Sequence, residues 1–92
     1  MLTCIITNHV KPGHKAEYIA VSRDFSAALV DGAGCLEAKV YDVLNSNDVI
    51  NFQIWPDQET AMAVTKTKAF SDFKPLLEPH FDGNERVFLQ EV

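Results

Sequence analysis

The sequence predicts a small α+β domain of element order β-α-β-β-α-β, and three observations predict it. Four segments alternate apolar and polar residues with period two and are rich in Ile, Val, Thr and aromatics. Two further segments repeat their apolar residues at helical spacing. The second and third strand-like segments are joined by Asn45-Ser46-Asn47-Asp48, a turn cluster short enough to make them an antiparallel hairpin.

The first strand spans Leu2 to Val10, with Cys4, Ile6 and Val10 on one parity and Thr3, Thr7 and His9 on the other. Pro12-Gly13 ends it, and proline suits the first turn of a following helix. That helix, of about four turns, carries Tyr18, Val21, Phe25, Ala28 and Leu29 on its apolar stripe. Gly32-Ala33-Gly34 stops it, with glycine available for a left-handed cap. Cys35 to Leu44 is the second strand, Leu36, Ala38 and Val40 alternating with Glu37, Lys39 and Tyr41. Val49 to Trp55 is the third, Ile50, Phe52 and Ile54 alternating with Asn51 and Gln53.

Pro56-Asp57 opens a second helical region, whose first acids, Asp57 and Glu59, suit a helix N-terminus. Ala61, Val64, Phe70, Phe73 and Leu77 supply its apolar side. Pro75 and Pro79 predict an interrupted rod, with a break near Thr67 to Ala69 and an end near Leu77. Asp82-Gly83 reads as a turn, and Arg86 to Val92 as the last strand. Two crossovers around one hairpin give a ferredoxin-like plait, a four-stranded antiparallel sheet with both helices on one face. The other face is left bare. Either parity gives it bulky residues: Ile5 or Ile6, Tyr41 or Val40, Trp55 or Phe52, Phe88 or Leu89. A bare apolar face marks an interaction surface, and a homodimer is the expectation.

Composition narrows the partners. The 92 residues form one domain, residues 1–92, and nearly half are hydrophobic. A net charge of −5 opposes phosphate backbones, so no nucleic-acid partner is expected. Lys66, Lys68 and Lys74, and separately Lys11, His14 and Lys15, read as solvated helix faces. Cys4 and Cys35 lie in apolar segments without a CxxC pair and are expected to be reduced core residues. No basic leader and no membrane-length apolar run is present, so the expectation is a cytoplasmic protein with no membrane partner. His9, His14 and His80 have no ligand-spaced cysteine or carboxylate, so no metal is expected. No glycine-rich phosphate loop or nucleophile elbow occurs.

Several motifs together resemble the antibiotic biosynthesis monooxygenase domain family. They are Val10-Lys11-Pro12-Gly13 before the first helix, Gly32 to Cys35 followed by Tyr41-Asp42, and the turn Asn45 to Asp48. The passage Phe52-Gln53-Ile54-Trp55-Pro56-Asp57-Gln58-Glu59 and the stretch Lys66-Thr67-Lys68-Ala69-Phe70 with Phe73 complete the resemblance. It implies a dimeric α/β barrel, two sheets packed face to face. It also implies relatives that include cofactor-free quinol and polyketide monooxygenases, haem-degrading enzymes and isomerases. The departures are specific. Quinol-type relatives often carry Glu where this chain has Gln53, and His where it has Val64. Neither replacement can move a proton near neutrality. Of the haem-degrading pattern Asn8 is present, but Val64 and Lys74 occupy the other two places, and a protonated lysine is no haem ligand.

The candidate site residues are Asn8, Gln53, Trp55, Val64, Phe70 and Phe73. Asn8 shares the parity of Cys4 and Ile6 and is a candidate donor to a substrate oxygen; the bland alternative is a strand-end asparagine. Gln53 is a candidate ligand orienter, or else an interface amide. Asn8 and Gln53 are also the two weak candidates for a catalytic role. Trp55 is a candidate binding residue, or else a packing anchor at a strand end, and Tyr18, Tyr41, Phe25, Phe70 and Phe73 are candidate cavity walls, or else plain core. Three functions fit. One is a cofactor-free monooxygenase-like or isomerase-like enzyme acting on a small aromatic or carbonyl compound. The others are a non-catalytic binder of such a ligand and a protein-interaction dimer with a filled cleft. Cavity volume separates the first two from the third.

Overall fold

The computed structural model describes Met1–Val92. Four strands, β1 (Leu2–Val10), β2 (Glu37–Asp42), β3 (Asp48–Trp55) and β4 (Phe81–Gln90), form one antiparallel sheet in the order β2-β3-β1-β4. The helices α1 (Lys15–Gly32), α2 (Gln58–Met62) and α3 (Lys68–Leu77) supply the second layer. The extents, 35 × 30 × 18 Å, are those of a slab of one sheet and one helical layer. The expected plait is present.

Helix α1 ends where the glycines require. Gly34 adopts φ +83°, the left-handed conformation, while the amides of Ala33 and Cys35 both return to the Leu29 carbonyl. A side chain at Gly34 would also press on Thr60, 3.1 Å from its Cγ2. The buried stripe of α1 differs from the sequence reading. Tyr18, Ser22, Ser26 and Leu29 are buried, so two serines lie at its centre. Burial pushes the Tyr18 phenol up to about 12.

The second helical region breaks slightly earlier than expected. Asp57 caps α2 by accepting from the Thr60 amide at 2.7 Å, and a 3-10 turn, Ala63–Lys66, follows. Thr67 is extended and caps α3, its hydroxyl accepting from the Phe70 amide at 3.3 Å. Pro75 lies inside α3 rather than breaking it. Its exposed position lets water satisfy the carbonyl its missing amide would have engaged.

Strand β2 is shorter than Cys35–Leu44, and β4 is longer than Arg86–Val92. Asp82-Gly83 is not a turn. Gly83 pairs with His9, and β4 follows β1 from Phe81 onward, with a register shift between His9 and Val10. Pairing along the whole of β1 overrides the local turn preference of Asp-Gly.

The face that α1 and α3 cover carries Cys4, Ile6, Asn8 and Val10 from β1 and Val49, Asn51, Gln53 and Trp55 from β3. The bare face carries Ile5, Ile50, Phe52 and Ile54, with Tyr41, Val87 and Leu89 about half exposed. The polarity of β3 is thus inverted: its apolar run faces outward and its amides face inward.

At one end of the bare face His9 bridges three strands. Its Nδ1 lies 3.0 Å from Asp48 Oδ1 and its Nε2 2.8 Å from Glu85 Oε1. Hydrogen bonds to Asp48, then to Glu85, raise its pKa above the ordinary 6.5. A histidine so raised stabilises the fold fully below the unfolded value, and that contribution fades as pH rises through the higher folded value. Wild type should therefore exceed His9→Gln in urea stability near pH 6, and the gap should close as pH rises above the raised folded-state value. A gap independent of pH would show that the histidine carries no charge there. The effect is small, because the side chain is nearly half exposed and its partner Glu85 is exposed.

Candidate functional site

A cavity of about 340 Å³ lies between the sheet and the second helical region. Its floor is Cys4 and Ile6 of the central strand β1. Gln53 and Trp55 of β3 form one wall, and Asn84, Arg86 and Phe88 of β4 the other. Phe25 of α1, Ala61 of α2, Val64 and Thr65 of the 3-10 turn and Phe70 of α3 roof it. Trp55, Gln53, Cys4 and Ala61 are buried, whereas Asn84 and Arg86 are exposed. The deep end is therefore at β3 and the mouth at the sheet-edge strand β4.

Small residues make this space. Cys4 stands at the middle of the floor, opposite Gln53 on one side and Phe88 on the other. The short α2 and the 3-10 turn contribute Ala61, Val64 and Thr65, all short side chains, to the roof. Burial raises the Cys4 thiol pKa, only partly opposed by the positive charge of Arg86, so it stays protonated and unreactive near neutrality.

The amides have fixed senses. Trp55 Nε1 lies 3.1 Å from Gln53, and an indole N–H only donates, so Gln53 turns its Oε1 to the tryptophan. The Gln53 NH₂ is left to face the cavity. A second set starts at the Val49 carbonyl, which only accepts. It takes a hydrogen bond from Asn8 Nδ2 at 3.1 Å. Asn8 Nδ2 also donates to Asn51 Oδ1 at 2.6 Å, and Asn84 Nδ2 donates to Asn8 Oδ1 at 3.3 Å. The three asparagines thus form a ladder across β4, β1 and β3 running in one sense. Its outer member, Asn84, keeps Oδ1 free at the cavity. Asn51 Nδ2, at the inner end, is buried without a partner.

Of the sequence candidates, Phe25, Gln53, Trp55, Val64 and Phe70 line the cavity, whereas Tyr18 lies in the neighbouring core and Tyr41 on the bare face. Asn8 does not line it either. It is 2% exposed, two residues beyond Ile6 on the same face of β1, with its amide engaged on both sides, and it holds Asn84 by a hydrogen bond. Phe73 stands outside the lining too, stacked on Phe25 at 5.5 Å in the neighbouring core. Asn84 and Arg86 are cavity residues that the sequence reading missed. The signal for Arg86 was its parity with Phe88, but a strand taken to start at residue 86 left its neighbours on β1 undefined. Asn84 fell within the stretch before that expected start.

No helix is long and apolar enough to cross a membrane. No curated protein matches the chain. A solved structure described as an antibiotic biosynthesis monooxygenase superposes with a TM-score of 0.86 at 19% identity, covering 100% of this chain and 99% of the other. A conserved protein of Methanosarcina mazei gives 0.85 at 20% identity, over 99% and 92% of the two chains. A Pseudomonas aeruginosa protein gives 0.84 at 22%, over 99% and 93%. At these identities the likeness carries the fold. The family itself rests on sequence: the profile described as antibiotic biosynthesis monooxygenase matches residues 1–76, from β1 through most of α3 and over the Gln53–Trp55 pair. By that match the chain belongs to the antibiotic biosynthesis monooxygenase family.

Proposed function

We propose that the protein is a homodimer, joined through the bare sheet faces, that takes a small aromatic carbonyl compound into the cavity. The observation that carries this reading is the open, aromatic-walled cavity in which Gln53 presents its NH₂ beside Trp55. At about 340 Å³ it lies within the range of small-molecule sites and is not filled by the chain's own side chains. This argues for a ligand site over a protein-contact dimer with a closed cleft. Burial of an aromatic ligand is favourable at roughly 25 cal/mol per Å² removed from water. The Gln53 N–H groups orient a carbonyl oxygen, and Asn84 Oδ1 accepts from a hydroxyl.

The lining holds no histidine and no carboxylate. A monooxygenase-like or isomerase-like reaction here therefore depends on a substrate that ionises without help from the protein, because Gln53 and Val64 cannot take its proton. Quenching of Trp55 fluorescence by naphthoquinone-like compounds, paired with oxygen uptake on the matching quinols, tests this. Binding with slow or no oxygen consumption is expected, with little pH dependence near neutrality. Rapid oxygen uptake would show that the site moves protons after all. Absence of quenching at millimolar ligand would remove the cavity reading and favour a partner-protein role.

A further inference from the structure

We propose that the cavity selects aromatic carboxylates, with Arg86 as the anchor for the anionic group. The inference rests on the small-molecule reading above and adds the charge of the ligand. Arg86 extends from β4 on the helix-facing side, opposite Ile6 of the floor, and its guanidinium lies 4.9 Å from the centroid of the Phe88 ring. It makes no ion pair. The ion pairs of the chain involve Lys15, Lys39, Lys68, Lys74, His9 and His80, although acids outnumber bases thirteen to eight. Its one side-chain hydrogen bond is a weak 3.8 Å contact with Met62 Sδ. An arginine stacked on an aromatic ring at the mouth of a cavity, with its planar fork unspent, matches a carboxylate.

The rest of the lining agrees in sign. Gln53 offers N–H donors at the deep end, on the far side of β1 from Arg86. No carboxylate lines the cavity to compete with an anion or repel it. Phe25, Trp55, Phe70 and Phe88 add aromatic surface to the same lining. The two strands that carry Gln53 and Arg86 are separated by β1, about 10 Å from strand to strand. A flat bicyclic acid spans that distance, its ring at the tryptophan end and its carboxylate at the mouth. A net negative protein that gathers an acid needs such a local cation, because its overall field opposes approach.

Calorimetric titration of the full chain with 2-naphthoate and with 2-naphthamide, its neutral isostere, tests the inference. Wild type should prefer the carboxylate by on the order of tenfold, the effect of one charged hydrogen-bonding partner. Arg86→Gln should abolish the preference, and Arg86→Lys, which keeps the charge but not the fork, should restore part of it. A melting curve for each variant confirms that the fold is retained. Equal affinities in wild type, or a preference that survives in Arg86→Gln, would overturn the carboxylate assignment while leaving the cavity reading standing. Failure of both ligands to bind would overturn both.

Discussion

Phe52→Glu is expected to convert the proposed sheet-face dimer into a monomer. Phe52 stands at the centre of the bare face, with Ile5 beside it on β1, Lys39 on β2, and the Tyr41 ring edge-on at 6.3 Å. The rows on either side place Thr3 between Ile54 and Leu89, and Ile50 next to Thr7. Such a face, pressed against its own copy across a two-fold axis, buries Phe52 twice in one interface. Losing each aromatic contact costs about 1.5–3 kcal/mol, and burying an unpaired carboxylate costs several more per copy. Summed over two copies, the dissociation constant should rise by more than about a thousandfold. The monomer keeps its helix-covered core, so the far-UV circular dichroism of the variant should match wild type. Sedimentation should give wild type twice the chain mass of 10.3 kDa and the variant that mass once. Wild type at the single mass would remove the sheet-face dimer.

How far the site was legible in the sequence turns on β3. The alternation of Ile50, Phe52 and Ile54 with Asn51 and Gln53 was plain, and it located the strand to within one residue. It could not say which parity went under the helices. Apolar residues usually do, and here the reverse holds: Val49 and Trp55 flank two inward amides, Asn51 and Gln53. Hydropathy records which side chains leave water, and in a sheet with one helical layer and one bare apolar face both sides offer that. Gln53, Trp55, Val64 and Phe70 were found through their place in a motif. Asn84 and Arg86 were missed because their roles come from register with β1, and register is a pairing of residues more than seventy positions apart that no local pattern encodes. The serines of α1 were missed for a related reason. Ser22 and Ser26 sit at the centre of the buried stripe, where the spacing of Tyr18, Phe25 and Leu29 already implied a face but not its polar middle.

The same inward polarity makes Asn8 the residue whose loss should be felt most within one chain. Its amide engages the Val49 carbonyl and both neighbouring asparagines, and it is 2% exposed. Asn8→Ala leaves the Val49 side chain packing intact but deprives Asn51 of its one partner, when its Nδ2 already has none. Each buried polar group left unsatisfied costs about 1–3 kcal/mol, so the loss should reach about 2–5 kcal/mol. That is a large share of the roughly 5–15 kcal/mol that holds a domain together. Asn8→Asp isolates the cause without a cavity. A carboxylate still accepts from Asn84, and Asn51 can turn its amide to donate, but nothing is left to donate to the Val49 carbonyl. The protonated acid regains that donor. Proton uptake is thus favoured in the folded state, so Asn8→Asp should be destabilised at neutral pH and recover relative to wild type as pH falls. Urea unfolding of the three proteins across pH measures both effects. A loss below about 1 kcal/mol in Asn8→Ala, or an Asn8→Asp deficit that ignores pH, would mean that the ladder is not what holds Asn84 at the cavity.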